Sequence, residues 1–277
     1  MPERQEHGQI GKNDQEREAL IARIDRTVPH SARVWNYMIG GQDWYDVDKA
    51  LVDQLLEAHP EAAGLAIASR TFLARAVRYL VQDAGVDQFL DIGTGLPTAD
   101  NTHQVAQRYD PEARIVYVDN DPLVLLHARA LLTSTPEGAT DYAEGDVRDV
   151  DAVLAAAGRT LDLDRPVALM LLSMLGHIRP DPAAQLVQEY MRQLPSGSYL
   201  VTCDSIDDPV MITLNEDYAA SGAVPYYPRS VQQLAATAEG LEVVEPGVGP
   251  IACWRPDTAD DPPSDQLFQW GLVARKP

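Results

Sequence analysis

In the stretch FLDIGTGLPTADN, residues 89–101, an apolar run carries Asp91 near its end and gives way to Gly93 and Gly95 on either side of Thr94. Two missing Cβ atoms let a backbone turn sharply and come close to a ligand. The phosphate-binding versions of such a loop are excluded. A dinucleotide loop needs a third small residue where Thr98 stands behind Pro97, and no G-K-S or G-K-T is present. Asp91 would repel a pyrophosphate lying on the loop, and it suits a ligand that carries an ammonium group. Asp119 closes the run YVD ahead of Asn120 and can accept both hydroxyls of an adenosine ribose. Asp146, in EGDVRD, can accept from an adenine amine while Val147 offers a backbone amide. One acid after a strand is usually a turn or cap residue. Three in register at successive strand ends describe a site.

The elements that must position these residues are legible in the periodicity. After Gly85, strand candidates at 87–92, 113–119, 140–145, 166–173 and 197–204, most of them rich in Val, Leu and Ile, alternate with helical stretches at 99–109, 121–132, 150–158 and 182–194. That alternation predicts an α/β fold, a parallel sheet covered on both faces with its ligand outside the carboxyl ends of the strands. Runs at 241–246 and 266–276 are joined without a clear helix and are expected to pair as an antiparallel hairpin at the sheet edge, which makes seven strands. Residues 1–13 are polar and are expected to be disordered. Residues 14–85 show helical periodicity and are expected to form a helical N-terminal lid. Its last helix places Leu65, Phe72, Leu73, Ala76, Val77 and Leu80 on one face and ends at Gly85. Residues 86–277 then make the ligand-binding domain, with a pocket-capping insertion at about 205–230 that holds Tyr218, Tyr226 and Tyr227. Ser230 reads as the N-cap of the helix that follows.

The chain resembles the class I S-adenosylmethionine-dependent methyltransferases. Within them it is most similar to an actinobacterial S-adenosyl methyltransferase family formerly designated a domain of unknown function. The likeness rests on SARVWNYMIGGQDWYDVDKA (31–50), FLDIGTGLPTADNTHQVAQ (89–107), VYVDNDPLVLLHARALL (116–132) and the terminal WGLVARKP, and it covers nearly the whole chain after residue 28. The resemblance implies a Rossmann-like seven-stranded, mostly parallel sheet with an antiparallel last strand. It implies S-adenosyl-L-methionine as cofactor and S-adenosyl-L-homocysteine as product. It also implies that Asp91, Gly93, Thr94 and Gly95 line the methionine part, Asp119 and Asn120 the ribose and adenine, and Asp146 and Val147 the adenine edge.

Methyl transfer is an in-line displacement, so positioning supplies much of the rate and a base is needed only where the nucleophile must lose a proton. Ser173, Met174 and His177 follow the fourth strand, the wall between cofactor and substrate in this fold, with Ser173 on the cofactor side. His177 is the candidate general base, because its ordinary pKa lies near working pH; the competing reading is a helix-start histidine that bonds backbone. In NYMIGGQDWYD, residues 36–46, paired glycines between aromatics read as a turn in a lid, with Tyr37, Asp43, Trp44 and Tyr45 facing the substrate; the competing reading is a packed helix connection. Arg70 lies beside the apolar face of its helix, where it can reach the cofactor carboxylate or snorkel to solvent. His30 and His103 read as structural.

Composition narrows the acceptor. The net charge of -20 repels phosphate backbones and anionic lipid, which argues against nucleic-acid and membrane partners. LLSMLGHI stands where an N-P-P-Y loop would be, and no Pro-Cys nucleophile is present. A small-molecule acceptor methylated on O, N or C remains. A polar start without an apolar core predicts a cytoplasmic protein. Cys203 and Cys253 lie far apart in sequence and no clustered His/Cys pattern holds zinc, so no metal is expected and both thiols read as reduced and packed. Two other functions share parts of this pattern. A non-catalytic sensor or partner subunit would bind the same cofactor without a base, and a nicotinamide-dependent oxidoreductase would need the third glycine that is missing. An aminopropyl transferase would need a run of acids absent from LLSMLGHI.

Overall fold

The computed structural model describes residues 18–131, 133–257 and 268–277. The disorder expected for 1–13 and the helix start expected from residue 14 lie outside the described residues. Eight strands form one sheet: β1 (Gln88–Ile92), β2 (Arg114–Asp119), β3 (Ala139–Glu144), β4 (Ala168–Leu172), β5 (Tyr199–Ser205), β6 (Glu242–Val243), β7 (Gly249–Pro250) and β8 (Gln269–Arg275). Their order is β3-β2-β1-β4-β5-β8-β6, with β7 also paired to β8. β1 to β5 are parallel, whereas β8 runs antiparallel to β5, β6 and β7. The fold is therefore the mostly parallel α/β sheet with an antiparallel element at one side. β7 is the strand beyond the expected seven.

Side-chain alternation sends the two halves of each apolar run to opposite faces. Leu90, Ile92, Val116, Val118, Leu169 and Leu171 pack with α6 (Val150–Ala157) and α7 (Pro180–Gln193). Phe89, Ile115, Tyr117, Ala168, Met170 and Val201 pack on the other face with α3 (Leu65–Gln82) and α4 (Thr102–Tyr109). α3 is thus a layer of the sheet domain, where the sequence grouped it with the lid. Cys203 is buried in this layer, whereas Cys253 is exposed, contrary to the packed thiol expected.

The remaining N-terminal helices, α1 (Ser31–Met38) and α2 (Asp46–Ala58), meet α8 (Pro209–Ala220) of the insertion in a separate apolar cluster built on Val34, Leu51, Val52, Met211 and Leu214. α8 presents Met211, Leu214, Asn215 and Tyr218 at helical spacing. Its Asp208 N-cap accepts from the Val210 amide, and Pro209 occupies the first turn. Two buried ion pairs fasten this assembly. Arg33 Nε donates to Asp48 Oδ2 at 2.8 Å, and Arg229 Nε donates to Asp204 Oδ2 at 2.8 Å. Ser230 caps α9 (Val231–Ala236) as expected, accepting from the Gln233 amide.

Candidate functional site

Strand order reverses between β1 and β4, and a crevice must open there at the carboxyl ends of the strands. A cavity of about 320 Å3 occupies it, within the size range of small-molecule sites. Asp91, Gly93, Thr94, Gly95, Asp119, Asn120, Asp146, Val147, Arg70, Ser173, Met174 and His177 all line it. Residues named at the ends of four strands and on one helix are thereby brought to one space.

The glycine loop is held open by its neighbours. Gly93 extends the sheet by donating its amide to the Val118 carbonyl at 2.8 Å, then turns with φ +74°. A Cβ on Gly93 would lie 2.1 Å from Met174 Cγ, so only glycine lets Met174 cover the loop. Gly95 also has positive φ, and its amide donates to Asp119 Oδ2 at 3.0 Å. Asp119 Oδ1 accepts from the Asp121 amide at 2.9 Å. That leaves one lone pair on each carboxylate oxygen for a ligand. Asp91 Oδ2 accepts from Thr102 Oγ1 at 2.6 Å.

The electrostatics point the same way. Burial pushes the Asp91 carboxyl up to about 6, offset in part by the Thr102 hydroxyl and the Arg70 charge. Burial also raises Asp119, and burial lowers Arg70 against the pull of Asp91. Two acids at 5% and 8% exposure sit in one cavity with Arg70 as their cationic neighbour. A ligand that brings a cation and hydroxyl donors would satisfy both, which is the fit that S-adenosylmethionine requires. Asp146 is different. Its carboxylate is gripped by the amide and guanidinium of Arg148, with Arg148 Nε 2.9 Å from Oδ1, and that bond holds its pKa low.

His177 Nδ1 lies 3.2 Å from the Pro225 carbonyl. A carbonyl only accepts, so the proton sits on Nδ1 and Nε2 keeps its lone pair. Burial lowers the imidazole pKa, and the Pro225 bond opposes that shift. The ring is therefore neutral at neutral pH and can act as a base. Its backbone bond also fulfils the structural reading. Ser173 adopts φ +52° and accepts from Gln269 Nε2 at 3.0 Å.

Tyr37, Asp43, Trp44 and Tyr45, expected to face the substrate, do not line this cavity. α1 continues to Met38, so its inward face is Ala32, Trp35, Asn36 and Ile39, at i, i+3, i+4 and i+7. Tyr37 points away from that face and donates to Asp53 at 2.9 Å, and its ring packs edge-on against Trp44. Trp44 Nε1 donates to the Gly41 carbonyl, Asp43 lies 3.7 Å from His127, and the Arg33 guanidinium stacks over Tyr45. Asn36 closes the turn by accepting from the Asp43 amide at 2.9 Å, and a Cβ on Gly41 would collide with it. The helical spacing of 32, 35, 36 and 39 was the signal for the missed residues. His30, read as structural, lines the cavity with Nδ1 2.9 Å from Asp121. His103 is structural, its ring bonded to the Tyr117 hydroxyl at 2.8 Å. Among the described residues no His, Cys, Asp and Glu group is arranged to hold a metal, and no helix is long and apolar enough to cross a membrane.

A family model described as S-adenosyl methyltransferase matches residues 17–277. A solved DUF574-family protein from Streptomyces avermitilis shares 41% identity over 92% of this chain and 100% of its own, with a TM-score of 0.87. A protein from Thermobifida fusca described as a candidate methyltransferase shares 38% identity over 91% of this chain and 96% of its own, with a TM-score of 0.84. Magnesium protoporphyrin IX methyltransferase from Synechocystis, solved with bound S-adenosylhomocysteine, shares the fold alone, at 12% identity over 88% and 93% of the two chains and a TM-score of 0.53. Curated proteins gave no match.

Proposed function

Since the chain belongs to the S-adenosyl methyltransferase family, whose cofactor is S-adenosyl-L-methionine, we propose that it methylates a small molecule, with His177 as general base. The observation that carries this reading is that one cavity is lined by buried Asp91 and Asp119 together with His177. When bound, the cofactor supplies a methyl group made electrophilic by its sulfonium. Asp91 holds the ammonium group and Arg70 the carboxylate. Asp119 accepts from the ribose hydroxyls. Asn120 and the Val147 amide meet the adenine, because the Asp146 carboxylate is already taken by Arg148. Met174, packed over Gly93, fixes the glycine loop.

His177 Nε2 takes the proton that an acceptor hydroxyl must lose. The surface net charge of -20 supports a small acceptor over a nucleic acid. Calorimetry with S-adenosylhomocysteine, followed by incubation with methyl-labelled cofactor and a cell extract, tests the function. Label appearing in the small-molecule fraction supports it, and label confined to protein or nucleic acid overturns it. His177→Ala should leave S-adenosylhomocysteine affinity within about twofold while product formation drops by on the order of 10²–10⁴, the usual contribution of a positioned base. Undiminished turnover would return His177 to a structural role.

A further inference from the structure

A second cavity of about 70 Å3 lies between α1, α2 and α8 and shares Ser31, Trp35 and His177 with the first. Its walls are apolar, formed by Val34, Leu55, Ala62, Met211 and Leu214 among others. Among the described residues Gln269 Oε1, on a residue 3% exposed, has no hydrogen-bond partner, and the Tyr218 hydroxyl, on a residue 6% exposed, has Ser31 as a polar neighbour but no well-formed hydrogen bond. Buried polar groups are normally paired, and an orphan donor and acceptor in one apolar pocket call for an explanation. Gln269 is held in place by its bond to Ser173.

We propose that this second cavity is the acceptor pocket and that it takes a monocyclic phenol carrying a second hydrogen-bonding substituent. The inference rests on the methyl-transfer reading. The ring straddles the junction of the two cavities, its phenolic hydroxyl meets His177 there, and the second substituent enters the apolar second cavity to pair with Tyr218 and Gln269. Size excludes larger acceptors: a cavity of roughly 150 Å3 holds one benzene, so about 70 Å3 takes a substituent and one ring edge and leaves no room for a second ring. Acidity selects the phenol. A phenolic proton near pKa ~10 passes to a neutral imidazole far more readily than an alcohol proton near that of water at ~16. In the step, the phenolic proton passes to His177 Nε2 and an oxygen lone pair forms the new O–C bond. The S–C bond breaks with its electron pair left on sulfur, giving the thioether product and an imidazolium.

The test titrates 4-ethylphenol and 4-(2-hydroxyethyl)phenol into the protein, free and saturated with S-adenosylhomocysteine, and looks for the methyl ethers by mass spectrometry once S-adenosylmethionine is supplied. Both phenols should bind and be methylated, the hydroxyethyl compound several-fold more tightly. Ala62→Leu, which fills the cavity, should weaken both by at least tenfold with S-adenosylhomocysteine affinity unchanged. Tyr218→Phe should erase the preference between the two and leave 4-ethylphenol as it was. Failure of both phenols to bind, or indifference of both to these two variants, overturns the assignment. Absent S-adenosylhomocysteine binding overturns the methyl-transfer reading alone, because the phenols and the variants still read the cavity in the free protein.

Discussion

Asp91→Asn is expected to cost about 3 kcal/mol of cofactor affinity, on the order of 100-fold, and at the same time to make the ligand-free protein more stable at neutral pH. The loss follows, on the proposed function, from removing the buried carboxylate assigned to the ammonium group. The gain follows from the same burial. The Asp91 carboxyl titrates at about 6 against an ordinary 3.8, raised first by desolvation and further by Asp119. A folded-state value above the unfolded one means that the folded protein binds more protons between pH ~4 and ~6, so its stability falls as pH rises through that window. Two pKa units correspond to about 3 kcal/mol at pH 7. The asparagine variant escapes this cost and keeps an oxygen for the Thr102 hydroxyl, although Arg70 loses its partner. Thermal unfolding should show a rise of several degrees at pH 7.5 that vanishes at pH 4. Wild-type S-adenosylhomocysteine affinity should be flat above pH ~6 and weaken below it as Asp91 takes up a proton. Unchanged affinity in the variant would remove Asp91 from the site.

Arg229→Met should destabilise the protein by about 3–5 kcal/mol, the cost of leaving a buried charge without its partner. Both Arg229 and Asp204 are 1% exposed. Burial already raises the Asp204 carboxyl, and Arg229 is the leading influence that holds it down. Asp204 Oδ1 accepts from the Tyr226 hydroxyl at 2.7 Å and the Gly176 amide at 3.0 Å, while Arg229 also donates to the Leu175 and Ile178 carbonyls. One cluster therefore ties β5, the His177 turn and the insertion together. Losing it should lower the urea midpoint, and the deficit should shrink at acidic pH as Asp204 is neutralised. Arg229→Met with Asp204→Asn should recover part of the loss. A single variant with a wild-type midpoint would mean that the pair is not what holds these segments.

β1, β2, β4 and β5 were legible to within a few residues because strands buried on both faces must read as largely apolar runs, whereas β3, a part-exposed strand at the sheet edge, was legible only by its place between two helical stretches. The glycine loop and its acids were legible because their spacing follows the strand ends. β7 was not, since Gly249 and Pro250 carry no strand preference and pair with β8 only through tertiary contact. The lid aromatics were misplaced by reading the whole stretch 36–46 as a turn. α1 runs on to Met38, and a change of one position on a helix rotates a side chain by about 100°, which turns Tyr37 out and Asn36 in. The Arg148 clasp on Asp146 is a local pair two residues apart, readable in the sequence but outweighed there by the pattern of strand-end acids. The second cavity was legible only through the insertion that carries Tyr218 and Tyr226; its other walls were not, because α1 and α2 meet α8 across more than 150 positions.

The two buried carboxylates beside the glycine loop have a consequence for turnover. S-adenosylmethionine carries one positive charge more than S-adenosylhomocysteine, so methyl transfer discharges the ligand while Asp91 and Asp119 keep their acidity. In a low-dielectric wall that lost attraction is felt strongly. On the proposed function, the same acids that draw the reactant in loosen their hold on what remains, and the reaction prepares its own release.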